Sequence, residues 1–201
     1  MTDRLGNPGR RQFARMALAG GLALGAGRAF GAETTDALGE TITDGPGRIK
    51  RRISGLQSRA WQDYFTTLKN DAILCDMNDR VLHYWGADGF YRIYPTSVPL
   101  TDEMSRRGRT QIVMKRPAPE WRPTPNMLER NPDLPRYVGP GPENPLGVRA
   151  MNLSWQYYLI HGTNDIRKIG RQSSSGCIGL FNEHIVEIFD RAKVGTQVLL
   201  V

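Results

Sequence analysis

Nine of the thirteen prolines in this 201-residue chain lie between residues 116 and 149, in the run RPAPEWRPTPNMLERNPDLPRYVGPGPENPLGV. Proline fixes φ and brings no backbone N–H, so a stretch this dense excludes a regular helix or a central strand. The regular structure must come from the flanks. The stretch still carries apolar side chains, Trp121, Met127, Leu134, Tyr137 and Leu146, which can anchor it. Long loops with their own anchors are functional or act as linkers. Only about 50 residues follow this one, too few for a second sizeable domain, so the reading is a cover over a site.

Upstream, AILCDMNDRVLHYWGADGFYRIYPTSVP has short β-branched and aromatic runs broken by turn residues. It predicts strands at Ala72 to Asp76, Val81 to Trp85 and Phe90 to Pro95, with another at residues 110 to 115. Ile53 to Leu68 has loosely helical apolar spacing and predicts one short helix. Downstream, WQYYLI (155 to 160) reads as a strand entering His161 and Gly162, with Tyr157, Leu159 and His161 on one face. FNEHIVEIFDRAK reads as a helix with Asn182 as N-cap and a Phe181 to Val186 staple. TQVLLV closes the chain as a strand. The fold class is therefore mainly β with a few short helices.

The N-terminus places Arg10, Arg11 and Arg15 before an uncharged Gly/Ala/Leu run, the layout of a twin-arginine-type signal peptide over residues 1–31. The run is shorter and richer in glycine than the ~20 strongly apolar residues of a membrane span. The small residues Ala29 and Gly31 place cleavage before Ala32. Residues 32–69 then form a polar leader that includes the short helix, and residues 70–201 the folded domain. The full chain carries +7, but residues 1–31 hold five arginines and one aspartate. The remaining 22 basic and 19 acidic residues do not argue for nucleic acid. Export implies the periplasm or cell envelope, where Cys75 and Cys177 are able to pair. Two cysteines do not make a disulfide scaffold, and Cys75 reads more simply as a buried small hydrophobe.

A cysteine nucleophile needs a base, a group that orients the base, and donors for an oxyanion. Cys177 has a candidate for each. His161 ends a strand, the Gly162 carbonyl is open beside it, and the small-residue turn Ser173, Ser174, Ser175, Gly176 can present successive N–H groups. His83 and His184 read as packing or surface residues. No CxxC, HExxH, GxGxxG or P-loop spacing occurs, so neither metal nor cofactor is expected.

The stretch IHGTNDIRKIGRQSSSGCIGLFNEHIVEIFDRAKVGTQVLL, with GPGPENPLGVRAMNL at 139 to 153, resembles the L,D-transpeptidase (YkuD-like) catalytic domain. The ordered elements are His-Gly-Thr-Asn, Ile-Gly, Ser-x-Gly-Cys, Asn-Glu and Val-Gly-Thr-x-Val, preceded by Gly-Pro-x-Asn-Pro-Leu-Gly. The resemblance covers roughly residues 70 to 201. It implies a β-sandwich or barrel-like fold with Cys177 as nucleophile and His161 as general base and acid. It also implies that the Gly162 carbonyl orients the imidazole and that the N–H groups of Ser175, Gly176 and Cys177 hold the oxyanion.

The implied reaction joins peptidoglycan stem peptides. A tetrapeptide donor would acylate Cys177 and release D-alanine, and the amine of a diamino residue on a second stem would resolve the thioester into a 3-3 crosslink. Water as acceptor would make the protein an L,D-carboxypeptidase; a protein or D-amino acid would give anchoring or exchange. Carbapenem acylation and a monomeric state are expected. The alternative of another class is a catalytically silent wall-binding domain. Two departures from the family pattern are visible. Ser175 stands where many members have histidine, and Gly179 where they have arginine or asparagine, so any contact from those side chains is absent.

Overall fold

The computed structural model describes residues 33–35, 41–43 and 57–201; the expected signal segment lies outside them. Within the expected leader, β1 (Glu33–Thr35) and β2 (Thr41–Thr43) pair antiparallel. The helix expected over Ile53 to Leu68 is not formed across the described residues 57–68, which contain one 3-10 turn, Trp61–Asp63. Their apolar spacing serves a different end. Phe65 packs with Trp61, Tyr64 and Leu68 against Ala72, Leu74 and Trp85, so the segment lies as a strap on one face of the main sheet.

That sheet has eight strands in the order β11-β9-β8-β7-β12-β3-β4-β5. Its first half is β3 (Ala72–Asp76), β4 (Val81–Trp85) and β5 (Tyr91–Pro95), joined through β12 (Gln197–Leu200) to β7 (Gly108–Arg116). The second half is β8 (Ala150–Leu153), β9 (Leu159–His161) and β11 (Ile178–Gly179). The nine-residue β7 belongs to both halves. It pairs with β12 through Gly108 to Gln111 and with β8 from Ile112 onward, with a register irregularity between Ile112 and Met114. An irregularity of this kind bends a strand and lets one sheet curl over its own core. Ile73, Leu82 and Tyr84 from the first half meet Met151, Leu153, Ile160 and Ile178 from the second in one buried cluster. The helix α2 (Asn182–Arg191) adds Ile185 and Ile188 to it.

Strand β3 reads as a continuous apolar run because both its faces are covered: Ile73 and Cys75 face this cluster, while Ala72 and Leu74 face the strap. β6 (Val98–Pro99) and β10 (Gln172–Ser174) form a separate parallel pair, tied to the main sheet by a bridge between Ser97 and Gly179.

Residues 155 to 158 are not strand. β8 occupies Ala150–Leu153, and Trp155 to Tyr158 form the turn that leads into β9, with Tyr157 at φ +65°. The aromatic run imitates strand propensity but serves as a turn packed on its neighbours: the Trp155 and Tyr158 rings meet edge to face at 5.6 Å.

The proline-rich segment is irregular except for α1 (Pro125–Arg130), a six-residue helix, contrary to the expectation that the proline density excludes one. Proline is tolerated where the first helical N–H would be unused, and Thr124 caps the turn by accepting from Met127 N at 3.3 Å. Trp121, Met127, Leu134 and Leu146 form a cluster of their own, joined by Leu159 of β9. Each such burial contributes roughly 2 kcal/mol. Tyr137 is not an anchor: it is exposed, with the Arg122 guanidinium 4.6 Å from its ring centroid. Buried Asn144 stands in for regular hydrogen bonding. Its amide donates to the carbonyls of Pro119 (2.8 Å) and Gly139 (2.9 Å), and its oxygen accepts from Leu146 N.

Candidate active site

His161 is the last residue of β9, paired with Gly179 on one side and Ala150 on the other. Its Nδ1 lies 2.5 Å from the Gly162 carbonyl oxygen. A carbonyl only accepts, so Nδ1 carries the proton and the neutral ring keeps its lone pair on Nε2. Burial pushes this imidazole down to about 4; the Gly162 bond opposes the shift, and the charge of Lys168 adds to it. At neutral pH the ring is therefore an uncharged base. Lys168 is only 8% exposed and lines the same cavity.

Asn182 does not cap α2. It sits inside the first turn, Phe181 takes the cap position, and no side chain caps the helix. The carboxamide instead fastens the loop after His161. Its oxygen accepts from Val148 N and Thr163 N, both at 3.2 Å, and its amide donates to the Thr163 carbonyl at 2.9 Å. Phe181 meets His184 edge to face.

Cys177 follows a turn that leaves β10 at Ser174 and enters β11 at Ile178. The Ser174 hydroxyl donates back across the turn to the Cys177 carbonyl at 2.5 Å. Gly176 adopts φ +126°, a conformation L side chains rarely take, and its N–H has no acceptor among the described residues. The thiol donates to the Tyr157 carbonyl at 3.3 Å. Thiol and imidazole line the same cavity. Cys75, by contrast, is buried in the core, and its thiol is pushed well above the ordinary range by desolvation and by Asp76.

The cavity measures about 900 Å³, ample for a peptide segment. His161, Ser175 and Cys177 line it, and the proline-rich segment contributes Trp121, Met127 and Leu146. The expected cover therefore borders the site, held by its own cluster. Gly162 supplies its carbonyl from behind the imidazole. The sequence reading did not single out Ser97, Tyr157 or Lys168 for this cavity, and nothing in their spacing marks them.

Gly179 is explained locally. A β-carbon there would overlap Ser97 Oγ and come 3.7 Å from His161 Cε1. The Ser97 hydroxyl fills the space that a side chain at 179 would take. Among the described residues no cluster of three or more His, Cys, Asp or Glu side chains is placed to hold a metal.

The L,D-transpeptidase catalytic domain (YkuD) family matches residues 70–200. The chain is 47% identical over 202 residues to a Fuscovulum blasticum protein provisionally named an L,D-transpeptidase of the ATP synthase subunits region, with full coverage of both. It is 35% identical over 135 residues to Escherichia coli ErfK/SrfK, a protein also provisionally named an L,D-transpeptidase, covering 64% of this chain and 43% of that one. Among solved structures, an L,D-transpeptidase from Mycobacterium smegmatis superposes with a TM-score of 0.52 at 18% identity, covering 66% of this chain and 58% of that one. L,D-transpeptidase 3 from Mycobacterium tuberculosis, in complex with a faropenem-derived adduct, gives 0.51 at 13% identity, covering 65% and 60%. These two likenesses speak for the fold, and the mainly β architecture agrees with them. With the family match spanning most of its length and a close relative matching throughout, this chain belongs to the L,D-transpeptidase catalytic-domain family.

Proposed function

We infer that the protein is a peptidoglycan L,D-transpeptidase working through a thioester on Cys177. The observation that carries this reading is the placement of His161 and Cys177 in the lining of one cavity, with His161 Nδ1 committed to the Gly162 carbonyl. That bond directs the free lone pair of the ring outward as a base. To react, the thiol turns from the Tyr157 carbonyl toward Nε2 and passes its proton to the ring. Sulfur then attacks the carbonyl carbon of the third, diamino residue of a tetrapeptide stem, and the oxyanion is held by the N–H groups of the Ser175 to Cys177 turn. The C–N bond breaks, the imidazolium gives its proton to the departing D-alanine amine, and the acyl group stays on sulfur.

An amine of a second stem then loses a proton to His161, attacks the thioester and forms a 3-3 crosslink, regenerating the thiol. The apolar lining that Trp121, Met127 and Leu146 add to the cavity supports an amine over water as acceptor, because it disfavours ordered water around the thioester. Carbapenems should acylate Cys177. The twin-arginine-type leader supports action in the periplasm, and the reading takes the protein as a monomer with no cofactor.

Incubation of the protein with a disaccharide-tetrapeptide, followed by mass spectrometry, tests this. Released D-alanine with a crosslinked dimer is the expected result. Tripeptide monomer as the product would make it a carboxypeptidase; no D-alanine release would leave the wall-binding reading.

A further inference from the structure

The cover does more than border the cavity, because its helix ends on the catalytic turn. Arg130, the last residue of α1, lies one helical turn beyond the buried Met127, on the side of the helix that faces the fold. Its Nη2 donates to Ser175 Oγ at 2.9 Å, and its Nη1 reaches Met104 Sδ at 3.6 Å. Met104 is itself fixed beside the site: its carbonyl accepts from the Tyr158 hydroxyl at 3.0 Å. Arg130 is exposed, and no carboxylate among the described residues pairs with it. A guanidinium held by a neutral hydroxyl and a thioether keeps its full charge and further N–H donors for an incoming anion.

We propose that Arg130 is the residue that reads the free α-carboxylate of the amino acid that leaves. The proposal rests on the transpeptidase reading above. In a tetrapeptide donor that carboxylate stands two bonds beyond the scissile nitrogen, while the scissile carbonyl oxygen lies at the Ser175 to Cys177 turn. A guanidinium already bonded to Ser175 stands beside that turn, within reach of a carboxylate two bonds from the scissile nitrogen. Two parallel N–H groups can meet the carboxylate oxygens, a geometry that lysine does not reproduce. A stem with one more residue moves its carboxylate out of register, and an amide-capped stem removes the charge. Arg130 is thereby a specificity residue, carried on the cover and bonded to the Ser175 turn.

The test compares two donors, a tetrapeptide ending in D-alanine and the same peptide ending in D-alaninamide, on the full chain, Arg130→Ala and Arg130→Lys. The unaltered protein should favour the acid in kcat/KM by about tenfold, mostly through KM. Arg130→Ala should erase that preference, and Arg130→Lys should restore only part of it. Alkylation of Cys177 by neutral iodoacetamide should keep its rate and pH profile in both variants. An acid-to-amide ratio unchanged in Arg130→Ala overturns the proposal alone. So does a shifted alkylation profile with the ratio intact, which would make Arg130 a support for the thiol. No release of either leaving group by the unaltered protein, with Cys177 still alkylated, overturns the transpeptidase reading and the proposal with it.

Discussion

His161 and His83 stand in the same sheet and are both pushed down by burial, yet only His161 lines the cavity that holds Cys177. Burial pushes both imidazoles from 6.5 down to about 4, and both bind an oxygen through Nδ1, the Gly162 carbonyl in one case and the Tyr91 hydroxyl at 2.8 Å in the other. His83 lies in mid-strand, stacked on Trp85 and Tyr91, with an Nε2 that has no partner among the described residues and no path to solvent. His161 ends its strand at a cavity it shares with a thiol. A depressed histidine pKa therefore marks burial. Reactivity requires an open edge and a second group.

The largest effects should separate the two histidines. His161→Gln is expected to lower D-alanine release by about 10² to 10⁴-fold, whereas His83→Phe should leave it at the level of the unaltered protein. Equal losses in both would break the comparison. In the unaltered protein the acid limb of kcat/KM should fall near pH 4, since the base is neutral above its depressed pKa; a limb near 6.5 would contradict that.

The next effect is acid stability, where the two histidines should act alike. The unfolded chain binds a proton at each near pH 6.5 and the folded protein only near 4. Stability must fall as pH drops through that window, by up to about 3 kcal/mol per histidine. Urea midpoints for His83→Phe should decline less between pH 7 and 4.5 than those of the unaltered protein; parallel declines would show that His83 is not proton-linked.

The smallest effect concerns the support behind the site. Asn182→Ala removes three hydrogen bonds to Val148 and Thr163, and should cost about 1–3 kcal/mol. It should also slow D-alanine release, because the loop that carries the Gly162 carbonyl loosens. The His83 titration, followed by NMR, should not move.

The sequence made one side of this comparison more legible than the other. His161, Gly162 and the turn into Cys177 stand out through the family resemblance, since a single His/Cys spacing is not specific by itself; the structure brings His161 and Cys177 to one cavity. Strands β3 and β4 were readable to the residue, since short β-branched and aromatic runs bounded by turn residues are local signals. What escaped were features whose partners lie far along the chain. Asn182 looks like a cap until Val148 and Thr163 arrive 34 and 19 residues away. Trp155 to Tyr158 looks like strand because aromatic propensity does not encode a φ of +65° at Tyr157. The strap looked helical because its apolar spacing was set by the sheet it covers. Arg130 carried no signal, because its meaning depends on a helix placed among prolines.

The thioester on Cys177 is the step that a single measurement reaches most directly. Brief incubation with tetrapeptide, acid quench and peptide mapping by mass spectrometry should find a tripeptidyl adduct, the donor less D-alanine, on the peptide containing Cys177, and none in Cys177→Ala. D-alanine released by Cys177→Ala at the rate of the unaltered protein, or an adduct on any other residue, would contradict it.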